Sequence, residues 1–182
     1  SRVDSVLASF VISNNRVLDS SRLVIGVVSP ANDIRGVVFA PGGKRLFLVD
    51  RLPPTLVTLD MTMENGAPKA EARTPVEVCP EPSLVKLGPD PTRPGNPDAL
   101  LAYVVCFASN QIYVVDTTLN QVVGEITTGR GPYSLELDPT RGRAYVANFL
   151  ENTVGVIDLD PSHSTYQRMV LRIGLVTQLV RQ

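Results

Sequence analysis

Residues 144–158 read AYVANFLENTVGVID, and two earlier stretches align with them without a gap: residues 102–116 (AYVVCFASNQIYVVD) and residues 46–60 (LFLVDRLPPTLVTLD). Each is an apolar run, a short interruption, a second apolar run and an Asp. The interruptions carry turn formers, namely Glu151-Asn152, Ser109-Asn110 and Pro53-Pro54. Runs of β-branched and aromatic residues around such a break read as an antiparallel hairpin. The aspartates that close the three stretches, Asp60, Asp116 and Asp158, read as turn formers whose carboxylates accept a backbone N–H.

On the N-terminal side of each hairpin lies another short apolar run, at residues 35–40, 83–88 and 133–138. Pro41, Pro89 and Pro139 stop these runs, because proline has no N–H to continue a ladder. A fourth run follows each hairpin, clearest at residues 121–126 and 169–174. Four short strands per repeat with no helical periodicity is the unit of a β-propeller blade. The expected fold is therefore all-β, a propeller fragment built of four-stranded antiparallel blades. Residues 1–32 read as outer strands of an incomplete blade, with Ser9–Ser13 and Arg22–Val27 flanking a bend at Asn14-Asn15. Residues 33–79, 80–129 and 130–174 each read as a blade, the middle one carrying an insertion at 89–98, and 175–182 as a tail. The insertion is rich in Pro, Gly and Asp and is expected to be an exposed loop.

Composition narrows the chemistry. The chain has 182 residues and is 43% hydrophobic, ample for a packed core. Lys+Arg number 17 against 18 Asp+Glu, so no basic footprint for nucleic acid or an anionic membrane exists. No apolar run approaches the roughly 20 residues of a membrane span. The chain begins at Ser1 without an initiator Met, which reads as a mature, processed or trimmed product. One histidine and two cysteines leave too few ligands for a His/Cys metal site and too little for a Ser-His-Asp or Cys-His system. No catalytic residue, metal site or cofactor site is read from the sequence. His163 lies in a polar stretch where it could be a ligand or a base, and is read as an exposed loop histidine.

Cys79 ends one unit, and Cys106 sits where the last repeat has Asn148. With alternating strand directions both fall on the same end of their sheets, so a disulfide between them is expected, the alternative being two buried thiols. Arg35, Ser83 and Tyr133 occupy one column at the start of the innermost strand, with Arg130 on the adjacent loop. These four are the candidate binding residues, at the mouth of an axial channel.

The last unit resembles the YVTN family of β-propellers, in which a Gly-x-x-Pro entry, an Asp-Pro-x-x-Gly turn, a Tyr-Val-x-Asn strand end and an Asn-Thr-Val-x-Val-Ile-Asp strand recur. Here these are Gly129/Pro132, Asp138-Pro139 with Gly142, Tyr145–Asn148 and Asn152–Asp158. The middle unit keeps Tyr103-Val104 and Tyr113–Asp116, and the first has diverged furthest. The resemblance implies an exported or cell-surface protein, extracellular or periplasmic, acting as a non-catalytic binding or scaffolding propeller with a protein partner. The alternative it admits is a propeller of an enzyme, lactonase-like or dehydrogenase-associated, whose catalytic groups lie outside this segment. A partial ring also needs its remaining blades, from further residues, another chain or another copy.

Overall fold

Strands whose side chains are apolar in both directions cannot present either face to water, and the sequence places such runs at the centre of each repeat. The structure, a computed structural model, describes residues 6–13, 16–24, 33–64 and 67–174. It contains fifteen strands in four antiparallel sheets and a single 3-10 turn at Phe149–Glu151 among the described residues.

The first sheet holds β3 (Ile34–Phe39), β4 (Arg45–Arg51), β5 (Pro54–Glu64) and β6 (Ala67–Ala72) in that order, with β7 (Val76–Glu77) also paired to β5. The second runs β8 (Pro82–Pro89), β9 (Leu100–Cys106), β10 (Gln111–Asp116) and β11 (Gln121–Thr127). The third runs β12 (Pro132–Asp138), β13 (Arg143–Asn148), β14 (Thr153–Asp158) and β15 (Arg168–Gly174). The three quoted hairpins are thus β4–β5, β9–β10 and β13–β14. Every residue of β9 is buried, as its two-sided apolar sequence demands.

The first strands β3, β8 and β12 lie side by side, so the sheets pack face to face in chain order. Two cores fill the joints. Phe47, Val49 and Leu56 of the first sheet meet Val85, Ala102, Val104 and Cys106 of the second. Tyr103, Val105, Ile112, Val114 and Ile126 on the second sheet's other face meet Leu135, Ala144, Val146 and Ile157 of the third. Burying each such aliphatic side chain contributes about 1.5–3 kcal/mol.

Two local departures from the sequence reading have physical causes. The fourth strand of the first sheet is split, β6 pairing with residues 59–64 of β5 and β7 with Thr55 and Leu56. The eleven-residue β5 is long enough to serve both. At the N-terminal end, β1 (Val6–Ser13) pairs with β2 (Arg16–Val24), so the second strand starts well before Arg22. The polar stretch Asp19–Arg22 hid its beginning, since only the ladder reveals it. The Asn14-Asn15 bend, residues 25–32 and the tail at 175–182 lie outside the described residues.

Residues 91 to 98 are turns and bends that are pinned down. Asp90 is buried; its carboxylate accepts the Thr92 N–H at 2.8 Å and Arg93 Nε at 2.6 Å. Arg93 also reaches Asp116, tying the loop to the end of β10.

Candidate functional site

The column Arg35, Ser83, Tyr133 coincides with a repeated irregularity of the ladders. In the first sheet Ile34 pairs with Asp50 and Gly36 with Val49, leaving Arg35 unpaired. In the second, Pro82 pairs with Cys106 and Leu84 with Val105, leaving out Ser83. In the third, Pro132 pairs with Asn148 and Ser134 with Ala147, leaving out Tyr133. Each is the extra residue of a β-bulge at the same point of its sheet, a device that re-aims a side chain and turns the strand.

What each bulge presents differs. Arg35 is half exposed and forks onto Asp33, at 2.7 and 2.9 Å. Arg51 stands beside the same carboxylate at 3.7 Å and also reaches Glu81 at 3.3 Å, so alternating charges run from the first sheet to the entry of the second. The Ser83 hydroxyl donates to the carbonyl of Val105 at 3.2 Å, so it serves its own sheet. Tyr133 is 66% exposed, with its ring 6.2 Å from that of Phe149, itself 65% exposed. Arg130 is exposed on the loop before β12, and its carbonyl accepts the Leu150 N–H at 3.1 Å. Tyr133 and Phe149 therefore make an exposed aromatic pair, with Leu150 next in the chain and Arg130 on the adjoining loop. Sequence reading missed Phe149 and Leu150, because the interruption of a hairpin gives no sign that its side chains lean on the neighbouring loop.

The loops of this end are held by one position with three chemistries. Asp50, Cys106 and Asn148 all lie at the end of the second strand of their sheets. Asp50 accepts the Asp33 N–H at 2.8 Å. Asn148 accepts the Gly129 N–H at 3.1 Å and donates to Thr153 Oγ1 at 3.1 Å. A Cβ on Gly129 would lie 2.5 Å from both Asn148 and Glu151, so only glycine permits the closeness. Between these two, the second sheet uses a covalent bond: Cys106 is joined to Cys79, with the Cα atoms 6.0 Å apart. The cysteines stand where the third sheet has Gly129 and Asn148, so a disulfide replaces a hydrogen bond.

At the opposite end lie the closing aspartates. Asp116 accepts the N–H groups of Thr118 and Leu119 at 2.8 and 3.0 Å, and Asp158 accepts that of Asp160 at 3.1 Å. Asp60 departs from the pattern and forks with Arg73 at 2.6 and 2.8 Å. Burial works to raise the pKa of Asp158. The hydroxyl of Thr165, the Asp160 N–H, His163 and the charge of Arg143 outweigh it and hold the carboxyl at about 2. His163 is partly exposed in the loop after Asp158, with Nδ1 2.9 Å from that carboxylate. Among the described residues, no group of three or more His, Cys, Asp or Glu is placed to hold a metal ion.

A pocket of about 330 Å³ opens at this end between the second and third sheets. Pro89, Pro91 and Tyr103 form one side and Leu137, Pro139, Thr140, Arg141 and Leu159 the other. No pattern in a single repeat announces it, since it exists only between two of them.

No family model and no curated protein matches the sequence. Solved structures do. The chain superposes on the dihydro-heme d1 dehydrogenase NirN with a TM-score of 0.68 at 16% identity, over 92% of this chain and 32% of that one. A 6-phosphogluconolactonase-like protein from Bacteroides uniformis gives 0.62 at 19%, over 86% and 47%. Kuenenia stuttgartiensis hydrazine synthase gives 0.61 at 20%, over 87% and 40%. These neighbours are β-propeller proteins. The fold is that of a β-propeller. The propeller segment spans less than half the length of each of these three structures. Among the described residues, no helix is long and apolar enough to cross a membrane.

Proposed function

We propose that the chain is the binding part of a larger propeller of the YVTN-repeat type, without catalytic groups of its own, in an exported or cell-surface protein. Residues 33–79, 80–129 and 130–174 are its blades. Residues 1–32 are the outer strands of a further one, and 175–182 are a tail. The ladders support this division. Val123 and Val170 are skipped in the fourth strands of the second and third sheets, two pairs from the closing aspartates. Leu18 is skipped at the same point of the β1–β2 hairpin.

The observation that carries the binding role is the bulge column. It leaves Arg35, Ser83 and Tyr133 out of the ladder at one end of adjoining first strands, where Tyr133, Phe149 and Leu150 stay exposed and Arg130 lies on the adjoining loop. Aromatic side chains next to arginine are the residue types that dominate protein interfaces, so the partner is a protein. The Cys79–Cys106 bond supports a compartment outside the reducing cytosol. The test is a photo-crosslinking residue at Tyr133 in the full-length protein in its own cells. A discrete adduct that Arg130→Ala and Phe149→Ala abolish supports the reading. Adducts no more selective than those from an exposed residue of β6, such as Lys69, overturn it.

A partial ring needs its missing blades, and one face shows where. Tyr145, Val156 and Leu171 form one cross-strand row of the third sheet, and Ala147, Val154 and Ile173 the next. Leu171 and Ile173 are more than half exposed. Further residues, another chain or another copy would cover them. In sedimentation the 182-residue chain alone is expected to associate, and a stable monomer would count against the proposal.

The neighbours named for a dehydrogenase and a hydrazine synthase favour a second reading, a propeller belonging to an enzyme. A Cys-x-x-Cys-His motif or a cluster of His and acidic residues in flanking sequence would decide for it.

A further inference from the structure

The pocket between the second and third sheets has a counterpart between the first and second, and there it is filled. Arg45 reaches across that joint, donating to the carbonyl of Asp98 at 2.9 Å and towards Thr117 Oγ1 at 3.4 Å. Its guanidinium lies 5.7 Å from the centroid of the Phe47 ring. Continued a few residues beyond the aligned stretches, to the last residue of the insertion, the register of the repeats carries these groups to the next joint. Phe47 becomes Tyr103, Asp98 becomes Thr140 and Thr117 becomes Leu159, and all three line the pocket. Arg45 becomes Leu101, a buried side chain too short to bridge and with nothing to donate. The pocket is the space that an arginine occupies one repeat earlier.

The receiving groups survive the change. The backbone carbonyl of Thr140 stands for that of Asp98. The aromatic face is kept, in a tyrosine that is only 2% exposed. The hydroxyl lost from Thr117 has a counterpart in the Tyr103 phenol, whose oxygen can accept from an N–H. Burial raises the pKa of that phenol, keeping it neutral. Asp160 adds a carboxylate to the wall, while the charge of Arg141 is taken up by Asp138 at 2.7 Å. Proline rings and Leu137 supply apolar walls for a carbon chain. Aromatic face, inward acceptors and a carboxylate suit a flat cation bearing several N–H groups.

We infer that this pocket binds an alkylguanidinium group, in the pose that Arg45 takes within the chain at the preceding joint. It lies at the end of the sheets opposite the bulge column, so it stands apart from the binding role proposed above.

The probes are n-butylguanidinium and N-acetylarginine methylamide, titrated into the 15N-labelled chain in whatever assembly it forms. Amide shifts are expected to centre on Gly88, Tyr103, Gly142 and Leu159. Tighter binding of the arginine amide indicates a group arriving on a peptide, and tighter binding of butylguanidinium a small molecule. Tyr103→Phe, which installs the residue found at position 47, should keep the fold and weaken binding about two- to tenfold, as expected for one lost hydrogen bond. Leu101→Arg should fill the pocket from within and abolish binding. n-Butanol or n-butylammonium shifting the same amides equally well would overturn the inference, as would the absence of any localised shift with folded protein.

Discussion

The second and third sheets carry nearly the same face and bury it to different extents. In the second sheet Tyr103, Val105, Ile112, Val114 and Ile126 are at most 2% exposed, because the third sheet lies on them. Their counterparts in the third are Tyr145, Ala147, Val154, Val156 and Ile173, of which Ile173 is 53% and Val154 38% exposed. The letters match and the burial does not. Apolar character in a repeat of this kind is written for a neighbour, so a residue's contribution depends on whether that neighbour is present.

Truncating the two matched positions puts this contrast at greatest risk. Ile112→Ala should cost about 2–5 kcal/mol in urea unfolding, as for other buried truncations. Val154→Ala should cost less than about 0.5 kcal/mol wherever its face is bare. Equal losses at the two positions would show that the third sheet's face is covered in solution.

The ties at the bulge-bearing end allow a second contrast. Reducing Cys79–Cys106, which spans 27 residues, should lower stability by about 3–4 kcal/mol on a loop-entropy basis, read as the shift in urea midpoint with and without reductant. Asn148→Ala removes the corresponding hydrogen-bonded tie and should cost about 1–2 kcal/mol, the Gly129 N–H being left without its acceptor. A larger loss from Asn148→Ala than from reduction would reverse the ranking of the two ties.

A weaker effect shows at Asp158 as a dependence of stability on pH. Its folded pKa, about 2, lies below the ordinary 3.8. Its contribution is therefore complete above about pH 5 and falls away as pH drops through 3.8 towards 2. Asp158→Asn should flatten the acid limb of the stability profile over that interval, and an unchanged limb would refute the assignment.

Much of this was legible in the letters. The gapless hairpins follow from short continuous apolar runs around turn residues, and these depend only on local sequence. The column Arg35, Ser83, Tyr133 and the pairing of Cys79 with Cys106 came from superposing repeats, and the bond is present. The bulges themselves had no signal, because an unpaired residue looks like any other until its partner strand is known. The split into β6 and β7 was hidden because it depends on the length of β5. The pocket was hidden for a similar reason. It needs Leu101 where Arg45 stood, a difference that has consequences only once the next sheet's distance is fixed. The exposed aromatic pair likewise depends on Gly131, whose φ of +62° bends the loop beneath it.

The Cys79–Cys106 bond also changes what happens when the backbone is broken. Between the two cysteines lie the whole of β8 and the exposed turns at 91–98, the segment a protease would reach first. A nick there leaves both pieces tethered, running as one species on a gel until a reductant is added. The insertion can thus be cut, lengthened or replaced while the first and second sheets stay covalently joined.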